Sequence, residues 1–210
     1  MKTVTFDQAI LLDAHRLFAE SFALLLEEIG VFNQIRIYHD LENFRANLSD
    51  PSYASAVVFV EYYLKDSNGL SVAAEIKRHH RHAKIVFLTS GTSPVVMHNI
   101  LVTKPHAILS KQSKPEDLRK LVENLSNITI YLDRHIRSFL LTYTPELPTF
   151  TPRELELLHY FEEGKSNKET AAVMNLSVHT VDSHRKKTMQ KAGVTSIGQL
   201  INLAKSLQII

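Results

Sequence analysis

The sequence contains no cysteine. That absence removes disulfides, thiolate zinc sites, iron–sulfur clusters and cysteine nucleophiles together. Long apolar runs are missing as well. The most strand-like apolar stretch, residues 56–60, is far shorter than the roughly 18 residues a membrane helix needs. Asp7 and Asp13 interrupt the first residues before an apolar signal segment builds up, so no secretory leader and no membrane association are expected, and a cytoplasmic location is the default. Catalytic signatures are equally scarce. There is no glycine-rich phosphate loop, no Gly-x-Ser-x-Gly elbow and no His-Glu-x-x-His pair, so neither enzyme chemistry nor a cofactor or metal is expected. His79, His80 and His82 read as a solvated helix end rather than metal ligands. Nor does the net charge of +2 announce a polyanionic partner.

What is present is an ordinary globular composition in 210 residues, room for one large domain or two small ones. The charge is unevenly placed. Residues 1–148 hold 16 Lys and Arg against 16 Asp and Glu, while 149–210 hold 8 against 6. Within 177–193, Arg185, Lys186, Lys187 and Lys191 face only Asp182.

The first 125 residues alternate short β-branched runs with helical periodicity. Strands are expected at 8–12, 35–38, 55–60, 84–88 and 107–109, each followed by a helical pattern. Five such alternations predict an α/β domain, a five-stranded parallel sheet with helices on both faces. Functional groups of such sheets sit at the carboxyl ends of the strands, and those positions hold Asp13, Glu61, Thr89 and Lys111. Residues 126–148 change character and form a linker, with Pro145 and Pro148 marking a hinge at 142–149. From 149 to 210 the pattern is all-helical, four helices with the second and third separated only by Asn175, Leu176 and Ser177, the tight turn of a helix-turn-helix. Thr151 with Glu154 and Ser166 with Glu169 form capping boxes, and Thr195 is taken as the cap of the fourth helix. On the third helix Val178, Val181, Thr188 or Met189, and Ala192 share an inward side. His179, Asp182, Ser183, Lys186, Lys187 and Gln190 share the other, a basic and hydrogen-bonding face suited to a major groove or, more plainly, to solvent.

The string from Thr151 to Val194 (TPRELELLHYFEEGKSNKETAAVMNLSVHTVDSHRKKTMQKAGV) strongly resembles the LuxR-type (NarL/FixJ family) DNA-binding domain. The resemblance implies double-stranded DNA as partner and a homodimer. Lys168, Thr180, His184 and Lys187 or Lys191 would meet phosphates, Asp182, Ser183 and Lys186 would read bases, and the last helix would dimerise through Ile197, Leu200 and Ile201. Asp182 departs from the family, whose members often carry Lys or Asn there. An acid cannot hold a phosphate, but it can accept from a cytosine amino group.

The first half resembles a response-regulator receiver domain. Leu11-Leu12-Asp13-Ala14-His15-Arg16-Leu17-Phe18 matches its acidic-pair segment, Thr89 and Lys111 its hydroxyl and lysine, and 61–69 the segment from phosphoacceptor to glycine. Here Glu61 stands in the aspartate's place, Ala14 replaces the second acid, and Ile108 takes the aromatic position. Loss of a Mg²⁺ ligand and a carboxylate one methylene further out both oppose phosphoryl transfer. A pseudo-receiver is therefore expected, with a standing Glu61–Lys111 ion pair, Thr89 within hydrogen-bonding reach of the same carboxylate, and a histidine kinase a doubtful partner. RNA polymerase stands as a further candidate partner. Two alternatives stay open: a conventional response regulator phosphorylated by a histidine kinase, and a protein-interaction module acting through heterodimers.

Overall fold

The computed structural model describes residues 6–64, 67–90, 93–126, 130–140 and 148–210. The chain divides into two compact units, Met1–Ser90 with Thr103–Thr142, and Gly91–Val102 with Tyr143–Ile210. The hinge expected at 142–149 falls mostly outside the described residues.

The first unit opens with β1 (Phe6–Leu12), α1 (Arg16–Ile29), β2 (Phe32–Tyr38), α2 (Leu41–Ala46) and a 3-10 turn at Pro51–Ser55. It continues through β3 (Val57–Glu61), the short β4 (Tyr63–Leu64) and β5 (Ser67–Asn68), α3 (Gly69–His79) and β6 (Lys84–Thr89). After α4 (Pro94–Val102), which groups with the second unit, come β7 (Ala107–Ser110), α5 (Pro115–Asn124), β8 (Tyr131–Leu132) and α6 (Arg134–Leu140). The main sheet runs β2-β1-β3-β6-β7-β8 with every pair parallel. It holds the five expected strands and a sixth, β8, whose two residues are too few to leave a periodic pattern.

Alternation sorts the sheet residues by face. Ala9, Leu11, Val57, Phe59, Val86, Leu88, Ala107 and Leu109 pack with Phe22 and Leu26 of α1 and with Leu118, Leu121 and Val122 of α5. The intervening Ile10, Leu12, Val58, Val60, Phe87 and Ile108 are just as deeply buried on the other side. Strands covered on both faces read as unbroken apolar runs, which is how 57–60 and 85–88 read in the sequence.

The parallel strand order brings the carboxyl ends of β1, β3, β6 and β7 to one edge, and Asp13, Glu61, Thr89 and Lys111 with them. Gly69 supports this edge. Its amide donates to the Tyr62 carbonyl at 2.8 Å, and a Cβ there would lie 2.5 Å from the Glu61 carbonyl oxygen. Any side chain at 69 has to push the backbone that carries Glu61 aside.

The second unit contains α4, α7 (Pro152–Glu162), α8 (Asn167–Val173), α9 (Val178–Lys191) and α10 (Ile197–Ser206). Capping boxes start α7 (Thr151 and Glu154) and α8 (Ser166 and Glu169), and Ser177 caps α9. The cap of α10 is Ser196, boxed with Gln199, rather than Thr195, whose amide and hydroxyl both donate to the Gln199 side chain. Asn175 takes φ 52° in the turn between α8 and α9, a left-handed conformation that Asn tolerates better than most residues. The Arg153 guanidinium donates to the Met174 carbonyl at 2.6 Å and fixes that turn against α7.

The core of this unit gathers Leu157, Phe161, Ala171, Met174 and Val181, with Ile197 and Ile201 packed half-buried against them. Leu200 is fully buried. It serves the core of its own chain, so the expectation that it meets a second copy is corrected. Ile197 and Ile201 keep part of their surface open. Val178, expected on the inward side of α9, is 47% exposed, while Val181 one turn on is buried.

Candidate functional site

Two sets of polar residues stand out, one in each unit. In the first, Asp13 and Glu61 are withdrawn from solvent almost entirely, at 0% and 1% exposure. Lys111 reaches both carboxylates. Its Nζ lies 2.6 Å from Asp13 Oδ2 and is in direct contact with Glu61 Oε2. The Lys111 amide donates to the Thr89 carbonyl at 2.9 Å, which aligns the segment after β7 with β6, and the ammonium also sits 4.5 Å from the Phe18 ring centroid. Thr89 is buried at the end of β6.

The remaining carboxylate oxygens are tied down locally. Asp13 Oδ1 accepts from the His15 amide at 2.9 Å and lies 3.1 Å from His15 Nδ1. Glu61 Oε1 accepts from the Tyr63 amide at 3.1 Å. Burial pushes the Glu61 carboxyl above its ordinary range, while Lys111 and the Tyr63 amide pull it back and Asp13 adds to the rise. The cluster as a whole is two buried carboxylates sharing one ammonium.

Asp13, His15 and Glu61 bring ligand atoms within 4.8 Å of one another. Mg²⁺ asks for near-octahedral oxygen donors. Here Ala14 offers none, His15 supplies an imidazole that is largely in solvent, and Lys111 already lays its charge against both carboxylates. The donor set does not fit that ion.

In the second unit, α9 presents His179, Lys186, Lys187 and Gln190 to solvent, with Thr180, Asp182, Ser183 and His184 half-buried beside them. Lys168 is exposed on α8. Asp182 does not stand alone. Its carboxylate pairs with Arg185 at 2.7 Å and with Lys186 at 2.8 Å, and the Lys186 ammonium holds it below the usual carboxylate range. The Thr180 hydroxyl meets Ser177 Oγ at 2.8 Å, and the His184 carbonyl accepts from the buried Thr188 hydroxyl.

Lys191 is the residue the sequence placed least well. Its ammonium is engaged with both oxygens of Glu154, at 2.6 and 2.8 Å, and Glu154 is itself buried. The capping-box role of Glu154 was legible. Its second role, anchoring the end of α9, follows from the need of a buried carboxylate for a cation and has no local sequence signature.

Comparison with known proteins agrees with both halves of this description. Residues 9–123 match the response regulator receiver domain model, and residues 148–204 match that of bacterial regulatory proteins of the luxR family. The Fimbriae Z protein of Salmonella typhimurium is 26% identical over 208 residues, covering 96% of this chain and 97% of its own length. The transcriptional regulatory protein RcsB of Escherichia coli is 26% identical over 206 residues, covering 95% and 94%. Among solved structures, RcsB from Salmonella enterica serovar Typhimurium bound to promoter rprA in the presence of the phosphomimetic BeF3− superposes with a TM-score of 0.69 at 25% identity, covering 95% of this chain and 99% of that one. An RcsB–DNA complex superposes at 0.62 with 26% identity, covering 96% and 98%. With a receiver model spanning more than half its length and a luxR-family model spanning its last helices, the chain belongs to the response regulators, a receiver domain joined to a regulatory domain of the luxR family.

Proposed function

We propose that this chain is a cytoplasmic, sequence-specific transcription regulator that binds double-stranded DNA as a homodimer, and that its receiver works without phosphoryl transfer. The observation that carries the DNA reading is the outward face of α9, polar and basic directly after a tight turn, in a unit of the luxR family. The relatives support it: RcsB is a transcriptional regulatory protein, and its solved structures include dimers bound to DNA. On this face Lys186 and Ser183 read bases, Asp182 holds Lys186 in place or accepts from a cytosine, and Lys168, Thr180, His184 and Lys187 meet phosphates. Lys187 is a better phosphate ligand than Lys191, which Glu154 already engages. The two-fold contact is assigned to the open surface of Ile197 and Ile201.

Independence from phosphoryl transfer rests on the ion cluster. A Lys111 ammonium shared by Asp13 and Glu61 supplies from within the chain the charge pairing that a phosphoryl group would otherwise provide. No metal-assisted step is assigned to this site.

Selection of bound sequences from random duplex DNA by the full-length chain tests the DNA reading and defines the operator. On the selected site, Lys186→Ala is expected to cost about 1–3 kcal/mol of specific binding and to relax sequence choice at one position. Purified chain that selects no sequence and binds no duplex at low salt would contradict the reading and favour a protein-interaction module.

A further inference from the structure

The end of the first unit opposite the ion cluster carries positive charge that the fold does not use. Residues 77–84, KRHHRHAK, contain four Lys and Arg and no acid, in a first half whose remaining charges are net acidic, 12 Lys and Arg against 16 Asp and Glu. Among the described residues none of Lys77, Arg78, Arg81 and Lys84 has an ion-pair partner, and the nearby Glu75 is committed to Arg45 at 2.6 Å. Lys77, Arg78 and His79 close the last turn of α3, where cations offset the helix dipole. That accounts for none of Arg81, His82 and Lys84, which lie beyond the helix.

Three elements bring cations and ring N–H donors together here. Lys77 comes from the end of α3 and anchors on the Ala83 carbonyl at 2.7 Å, Lys84 opens β6, and His106 precedes β7. The Ile85 amide donates to His106 Nδ1 at 3.0 Å, which leaves Nε2 as the N–H donor of a neutral ring. Burial and the neighbouring Lys77 and Lys84 push the His106 imidazole down to about 4, as expected where like charges crowd without a counter-ion. His80 is the exception in the run. It is buried and bonds the Leu48 carbonyl at 2.6 Å, so it shapes the patch from beneath.

We propose that this end of the receiver unit, centred on Arg78, Arg81 and Lys84, is a second, sequence-independent contact for the phosphate backbone of duplex DNA. The inference rests on the DNA-binding reading of the second unit. Protein interfaces are built around an apolar centre and are poor in lysine. Among the described residues the exposed large apolar side chains of this unit are Leu17 and Leu24, both on α1, and none falls within 77–84. A dense set of guanidinium, ammonium and ring N–H donors without apolar surface suits a polyelectrolyte, whose phosphates accept forked guanidinium bonds and whose counter-ions are released on contact. Along β6 the patch lies roughly 17 Å from the ion cluster, five strand steps of about 3.3 Å, so the two need not compete.

The test is a salt titration of full-length chain on a random-sequence duplex, comparing the parent with the double variant Arg78→Gln, Arg81→Gln, and with Lys187→Gln on α9. Neutralising two phosphate contacts is expected to weaken binding about tenfold or more near 50 mM salt and to lower the slope of log affinity against log salt by about two, against about one for Lys187→Gln. Unchanged affinity and slope in the double variant, with the loss still seen in Lys187→Gln, overturns the patch and leaves the α9 reading standing. A double variant that keeps its DNA affinity but loses binding to polyglutamate overturns it in favour of an acidic protein partner. A parent without affinity for the duplex overturns both readings. Equal thermal unfolding of parent and variants shows the fold intact, and Arg81→Gln alone, expected to remove half the slope change, serves if the pair does not fold.

Discussion

Replacing Lys111 by methionine is expected to lower the stability of the receiver unit by about 3–5 kcal/mol at pH 7, out of a total of about 5–15 for a domain of this kind. The reason is what the substitution leaves behind. Asp13 and Glu61 stay buried with one polar contact group each, His15 and the Tyr63 amide, and no counter-charge. Removing one partner of a buried pair costs far more than the pair contributes, because the remaining charge has no water to return to. The deficit carries a pH signature. Burial already raises the Glu61 carboxyl, so the folded chain binds that proton more readily than the unfolded chain does. Stability from that proton is present below the unfolded carboxylate range and is lost as pH rises through the folded value. Without Lys111 the rise is larger, so the methionine deficit grows from mildly acid to neutral pH and shrinks on acidification. Urea unfolding at several pH values checks it, and adding Glu61→Gln restores part of the loss. A deficit under about 1 kcal/mol that ignores pH would mean a solvated pair.

The second large effect separates core from interface. Leu200→Ala removes a fully buried side chain and is expected to cost the second unit about 2–5 kcal/mol, the range for a leucine cavity that cannot close. The loss appears in the chain at any concentration, as earlier unfolding of this unit by near-ultraviolet or amide-exchange probes. If Leu200 instead met a second copy, unfolding of dilute chain would be unchanged and only the dimer dissociation constant would move.

The same residue shows where the sequence was legible and where it was not. A leucine on the last helix of a luxR-type unit looks alike whether it points inward or toward a partner; only the helix's rotation against α7 and α9 decides. The strands of the sheet were readable because burial on both faces leaves unbroken apolar runs at 57–60 and 85–88. The caps of α7 and α8 were readable because capping is local chemistry, a Ser or Thr and an acid three residues on. The Lys111–Glu61 pair followed from the receiver resemblance. Asp13's share of the same ammonium did not, since side-chain contacts between distant segments leave no periodicity. Glu154–Lys191 was hidden for the same reason. In the histidine-rich run, polarity suggested uniform exposure, yet His80 lies four residues after the buried Ile76 and shares its face.

The role proposed for the Asp13–Glu61–Lys111 cluster is to take the place of a phosphoryl group. The most direct measurement is the affinity of the full-length chain for its selected operator with and without a small phosphodonor and Mg²⁺, with the intact mass of the chain recorded in parallel. The cluster predicts equal affinities and an unchanged mass. A phosphate mass increment accompanied by tighter operator binding would contradict it.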